Sequence, residues 1–195
     1  MDWSNNESFY YKEEELKLLL SGLGMTDIYG LFSECSEEID LHRVMTELYT
    51  KKIFASDAEG FVVLSPLSDI LRTIINSKKC VVMQRKTLGH PVRCCYLTKD
   101  HVVVTEKSQR EQNTLRIYQM QADDWIAFVL AEIEDEFFEI QLILQDTRRE
   151  YVYASLRIQE TGIQKRIFCE KEEQQVEYQR KIMSSKLQEW IGEKI

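Results

Sequence analysis

The sequence predicts an α+β fold: a central antiparallel sheet flanked by helices in pseudo-two-fold halves, preceded by a winged-helix-like helix-helix-ribbon-helix unit. Three observations predict it. Apolar residues recur at helical spacing through most of the first 78 residues, the period shortens to that of strands from Cys80, and stretches of strands twice run into a helix. Only seven Gly and two Pro occur among 195 residues, so short turns rather than long linkers must join the segments. The expected division is residues 1–78 for the N-terminal lobe, 79–136 for a first sheet-helix half and 137–195 for a second, the two halves sharing one sheet.

The first helix is expected over Lys12 to Gly24, because Leu16, Leu19, Leu20 and Leu23 fall on one face and Glu13-Glu14-Glu15 complement the dipole of its first turn. Asp40 is a plausible N-cap for a second helix whose Leu41, Val44, Met45, Leu48 and Tyr49 repeat the amphipathic pattern, with Lys51-Lys52 closing its last turn. Ile53–Ala55 and Phe61–Leu64 flank a turn and read as a β-ribbon. Ser65-Pro66 then reads as an N-cap followed by proline at the first helical position, opening a third helix with Leu67, Ile70, Leu71, Ile74 and Ile75 on its apolar face.

Strands are expected at Cys80–Met83, Val92–Leu97, His101–Thr105 and Leu115–Met120, with turns at Leu88–Pro91, Lys99-Asp100 and Ser108–Asn113. Asp123 or Asp124 can cap a helix that carries Trp125, Ile126, Phe128, Val129, Leu130 and Ile133 around most of its circumference. The second round places strands near Phe138–Leu144, Tyr151–Ile158 and Ile163–Cys169. A long helix from about Lys171 to Glu193 follows, with Val176, Met183, Leu187, Trp190 and Ile191 as its stripe.

Charge narrows the function. The chain has 25 Lys and Arg against 33 Asp and Glu, a net of −8, which opposes a sequence-independent grip on nucleic acid or an anionic membrane. Residues 1–78 hold seven basic against fourteen acidic residues, so the winged-helix-like unit would repel phosphates, and a protein-binding use is expected of it. The longest stretches free of charged residues, Leu18–Thr26 and Gly60–Ser68, are nine residues each, whereas a membrane span needs roughly 20 apolar residues. The acidic, polar start Met1–Glu7 lacks the form of a signal peptide. Five scattered cysteines without a CxxC fit reduced thiols, and a cytoplasmic protein is expected.

No catalytic, cofactor or metal site is read from the residues. His90, Cys94, Cys95 and His101 are ligand types close in sequence, but in a strand Cys94 and Cys95 point to opposite faces. Asp123-Asp124 is explained by its place at a helix start rather than by acid–base chemistry. Neither a nucleophile elbow nor a glycine-rich phosphate loop is present, and Ser21-Gly22-Leu23-Gly24 ends a helix instead of opening one. The candidate partner-binding residues are Tyr151, Tyr153 and Arg157 on one strand, opposite Val152, Ala154, Leu156 and Ile158. Arg116, Tyr118 and Met120 on another strand oppose Leu115 and Ile117. Tyr and Arg are enriched at interfaces; a helix covering these faces is the competing expectation. An open face would let Tyr118 and Tyr153 be truncated to Ala with little change in stability.

Over its first 135 residues the chain resembles the EspG-type accessory proteins of ESX (type VII) secretion, as a divergent member. The likeness is carried by Glu15–Gly24, Leu48–Ile53, Glu59–Leu67, Leu71 and the strand at Cys80. The resemblance implies an α+β fold with a central antiparallel sheet and pseudo-two-fold halves. It also implies a cytosolic, non-enzymatic chaperone, without cofactor, that binds helical-hairpin secretion substrates or a secretion-machine component through the sheet and its flanking carboxy-terminal helices. Nucleic acid and direct membrane insertion are not expected, and homodimerisation is left open. The alternative is a winged-helix transcriptional regulator or another protein-interaction domain, with an enzyme a distant third.

Overall fold

A computed structural model describes residues 8–23, 40–57, 60–64, 66–85, 92–108, 111, 113–135, 138–146, 149–161, 164–169, 174–177 and 179–192. Its elements are β1 (Ser8–Lys12), α1 (Glu13–Gly22), α2 (Leu41–Thr50), β2 (Phe54–Asp57), β3 (Gly60–Val63), α3 (Leu67–Asn76), β4 (Lys79–Arg85), β5 (Arg93–Leu97), β6 (His101–Lys107) and β7 (Thr114–Gln121). They continue as α4 (Ala122–Asp135), β8 (Phe138–Asp146), β9 (Arg149–Thr161), β10 (Gln164–Cys169), β11 (Gln174–Glu177) and α5 (Arg180–Gly192).

Nine strands form one antiparallel sheet in the order β1-β7-β6-β5-β4-β8-β9-β10-β11, and β2 and β3 form the separate ribbon. The order explains the pseudo-symmetry. From the central β4–β8 pair, registered from Lys79 opposite Leu144 to Arg85 opposite Phe138, the meander β4 to β7 walks outward one way and ends in α4. The meander β8 to β11 walks outward the other way and ends in α5. Each half is thus four strands followed by a helix.

Alternation of side chains divides the core in two. One face carries Val81, Met83, Cys95, Val104, Tyr118 and Met120 and is buried together with α4 and α5, through Trp125, Val129, Ile133, Met183, Leu187 and Trp190. The other carries Cys80, Val82, Cys94, Tyr96, Val103 and Ile117 and is buried together with α1, α2 and α3. The N-terminal unit therefore shares a core with the sheet rather than standing apart. Burying an apolar side chain of this size contributes about 1.5–3 kcal/mol, so the two clusters hold both helical layers to the strands.

Several elements depart from expectation. The sequence pattern opens the first helix at Lys12 and names no strand before it; Ser8–Lys12 instead pairs with β7 from Ser8 opposite Tyr118 to Lys12 opposite Thr114, adding an edge strand to the main sheet. The long helix from Lys171 is shorter, because Gln174–Glu177 is strand β11, paired with β10; Val176 belongs to it rather than to the α5 stripe. The helix after β7 starts at Ala122, whose N–H bonds the Asp100 carbonyl at 3.0 Å. Asp123 and Asp124 accordingly lie inside the first turn of α4 and favour its dipole without being the N-cap. Pro66, not Ser65, precedes α3, and Ser65 is outside the described residues.

Other expectations hold in detail. Asp40 caps α2, accepting from the Arg43 N–H at 3.1 Å. Glu13, Glu14 and Glu15 lie in the first turn of α1 as expected, and Glu15 also accepts from the Lys12 N–H at 2.8 Å. Lys99-Asp100 forms the tight β5–β6 turn, closed by the Thr98 N–H to His101 carbonyl bond of 3.0 Å. Asn113 adopts φ 53°, a left-handed geometry that asparagine tolerates, where the chain enters β7. The turn expected at Leu88–Pro91 lies outside the described residues.

Candidate protein-interaction surfaces

Of the side chains expected on an open sheet face, Tyr118 and Met120 lie beneath a helix. Arg116, Tyr118 and Met120 do share a face, but it is the one α4 covers: Tyr118 is 5% and Met120 4% exposed, within the cluster containing Trp125 and Val129. The strand period gave the correct alternation and could not say which side was wet. Burial, and then the neighbouring Glu106 carboxylate, push the Tyr118 hydroxyl well above the usual phenol range. Tyr118 and Met120 are corrected from candidate contacts to core.

Arg116 stays at the rim and joins a chain of charges across the sheet. Arg93, Glu106 and Arg116 occupy one register row of β5, β6 and β7. Glu106 accepts from Arg93 Nε at 2.7 Å and from Arg116 at 3.1 Å, while Arg93 reaches Glu132 of α4 at 2.6 Å. Arg116 also donates to Ser8 Oγ at 3.0 Å, tying in edge strand β1. The guanidinium of Arg93 stacks 5.1 Å from the Phe128 ring centroid, and that of Arg116 4.7 Å from Tyr118. Burial pulls the Arg93 pKa down, but the hydrogen bonds to Glu106 and Glu132 outweigh it and hold the group protonated. Two cations and two anions cancel, so this array clamps α4 and β1 to the sheet and has no charge left over for a ligand.

The other candidates lie in the second half. Tyr151 sits opposite Leu144, and Arg157 opposite both Glu139 on β8 and Phe168 on β10. Between them the β8–β9 register slips: Leu142 faces Ala154 and Ile143 faces Val152, which makes Tyr153 the extra residue of a β-bulge. The uniform alternation assumed for Tyr151–Ile158 is therefore interrupted at Tyr153. All three residues belong to an interior strand of the sheet, and the structure does not bring them to the row that holds Arg116.

The cysteines follow the expected alternation. Cys80 and Cys94 are buried on the α1–α3 face and Cys95 on the α4 face, all three as free thiols. Burial pushes Cys95 up to about 12, against a smaller opposing effect of the neighbouring Trp125. Burial raises Cys80 well above the usual thiol range, with Cys94 beside it adding to the effect. Such thiols are not nucleophiles at neutral pH. Among the described residues no three His, Cys, Asp or Glu side chains converge on a metal position; His90 lies outside them.

Sequence reasoning missed the exposed apolar side chains. Large apolar side chains exposed in the N-terminal unit include Tyr10, Leu23, Leu41, Tyr49, Val62 and Leu64. On α2 only Val44 and Leu48 are buried, while Leu41 is 57% and Tyr49 65% exposed. A signal was available, since Leu41, Val44, Met45, Leu48 and Tyr49 span an arc of about 140° at 100° per residue, wider than the roughly 100° a core-facing stripe requires.

Three cations on and near α2 are engaged in ion pairs. Lys12 pairs with Glu47 at 2.9 Å, Arg43 with Glu14 at 2.6 Å and Glu47 at 2.9 Å, and Lys51 with the buried Glu15. Hydrogen bonds from Lys12 and Arg43 lower the Glu47 pKa, and those to Glu14 and Glu47 raise that of Arg43. A groove of about 290 Å³, lined by Lys12, Thr46, Glu47, Thr50 and Lys51, runs alongside α2.

No family model matches the chain, and no curated protein matches it in sequence. No helix among the described residues is long and apolar enough to cross a membrane.

Proposed function

We propose that the chain is a non-enzymatic, cytoplasmic chaperone or adaptor that works through protein–protein contacts. In line with its resemblance to EspG-type proteins, it keeps helical-hairpin substrates of a type VII-like secretion system soluble for export. The observation that carries the reading is the arrangement of the sheet: two four-strand-plus-helix halves about the β4–β8 pair, the pseudo-two-fold design the resemblance implies. Two further observations agree with it. The half-buried charges on the sheet are spent on holding elements together, and the N-terminal unit leaves large apolar side chains such as Leu41 and Tyr49 exposed.

The winged-helix regulator ranks lower. In that reading α2 would enter the major groove and offer cations to phosphates, yet Arg43 and Lys51 on and beside α2 are held by Glu14, Glu47 and Glu15. Those carboxylates compete with phosphates for both cations.

The test is affinity purification from the native cell at natural expression, with mass spectrometry of what co-purifies. An equimolar small helical-hairpin protein or a secretion-machine component is expected. Recovery of DNA with transcription proteins, or of the chain alone, would overturn the proposal.

A further inference from the structure

We infer that α2 is a hinged strap, held shut against α1 and β1 by a row of ion pairs and loosened by raised ionic strength; the inference does not depend on the chaperone reading. Burial comes first. On α2 the buried residues are Val44 and Leu48, whereas α3 buries four apolar residues and α1 and α5 three each. Among the described residues α2 packs chiefly against α1 and the ribbon strand β2. A native protein opens most readily where the fewest apolar contacts are lost.

Charge supplies the rest of the hold. Arg43, Glu47 and Lys51 recur every four residues and line one edge of α2. They meet charges of opposite sign on the β1–α1 segment: Arg43 bonds Glu14 at 2.6 Å, Glu47 bonds Lys12 at 2.9 Å, and Lys51 bonds Glu15. The three cations are 43–44% exposed, so salt reaches these pairs and screens them. Glu15 alone is fully buried, and it pins the end of α2 that lies beside the hinge. The hinge is Lys52, whose φ of 55° is the left-handed geometry that a helix end usually gives to glycine. There the Lys52 N–H bonds the Tyr49 carbonyl at 3.0 Å and the Ile53 N–H bonds that of Leu48 at 3.1 Å, turning the chain out of α2. A lysine in this geometry is strained, and opening relieves the strain. Opening uncovers part of the core that Val44 and Leu48 share with α1, α3 and the sheet, apolar surface that the closed strap hides from water.

The test is amide hydrogen exchange of the full chain, read by mass spectrometry at about 0.05 M and about 1 M sodium chloride, which shortens the screening length severalfold. The α2 amides should exchange about fivefold faster at high salt, the effect of losing one or two exposed ion pairs, while those of α3 change less than about twofold. Glu47→Gln removes the partner of both Lys12 and Arg43. It should speed α2 exchange at low salt by about the same factor and shrink the response to salt, with α3 in the same variant reporting that the rest of the chain stays folded. Lys52→Gly, which relieves the strain of the closed hinge, should slow α2 exchange about threefold. Exchange of α2 that ignores salt, salt that speeds α2 and α3 alike, or α2 exchange unchanged by Glu47→Gln would overturn the inference.

Discussion

Truncating Tyr118 to alanine separates a covered sheet face from an open one. The ring is 5% exposed and belongs to the cluster beneath α4, and removing an aromatic side chain from a core costs about 3–5 kcal/mol. Its stacking partner Arg116, 4.7 Å from the ring centroid, adds about 0.5–1 kcal/mol to that sum at most, because it is solvent-accessible at the rim and stays bonded to Glu106 and Ser8. The expected loss is about 4 kcal/mol. For a chain of this length each kcal/mol moves the melting temperature by about 2–4 °C, giving a drop on the order of 10 °C. Equilibrium urea unfolding followed by circular dichroism measures it, with Tyr49→Ala as the exposed control, which should lie within about 0.5 kcal/mol of the parent chain. A Tyr118→Ala loss below about 1 kcal/mol would refute the placement of α4 over β7, since a core aromatic cannot be removed so cheaply.

Further expectations concern the charges, the thiols and the tyrosines. Glu106→Gln leaves Arg93 and Arg116 facing each other, half-buried across one row of the sheet, and should destabilise by about 2–4 kcal/mol in the same urea assay. Cys80, Cys94 and Cys95 are buried and should escape a disulfide reagent until urea unfolds the chain. A native chain that reacts fully would contradict their placement. Tyr11, pushed up to about 12 by burial and then by Glu15, and Tyr96 and Tyr118, raised chiefly by burial, are neutral in the folded chain. Their folded pKa values exceed the unfolded value of about 10, so the stability they contribute is complete below that pH and is lost as pH rises through the folded values. Tyrosinate absorbance should therefore show these three of the nine tyrosines ionising late and together with alkaline unfolding.

The periodic parts of the fold were legible because one face of each element meets a core. Leu67, Ile70, Leu71 and Ile74 of α3 and the alternating Cys94 and Cys95 of β5 are buried as their spacing requires. The pseudo-two-fold order was legible from the repeated passage of strands into a helix. Elements set by pairing rather than by pattern were not. Nothing local in Ser8–Lys12 announces an edge strand, whose partner Thr114–Tyr118 lies about a hundred residues away. Gln174–Glu177 is polar apart from Val176, and its strand state comes from β10. The exposed apolar residues of α2 were legible only as an excess: the apolar arc of α2 is wider than its core contact, and which of its members would be left outside depended on how α1, α2 and the sheet pack. For Tyr118 and Met120 the sequence supplied the face and packing supplied the cover.

Export of the proposed hairpin partner in cells that lack this chain tests the proposed chaperone role most directly. Loss of the chain should leave that partner insoluble in the cytoplasm and absent from the medium, with both restored by the parent gene. Unchanged solubility and unchanged export in its absence would contradict a chaperone role.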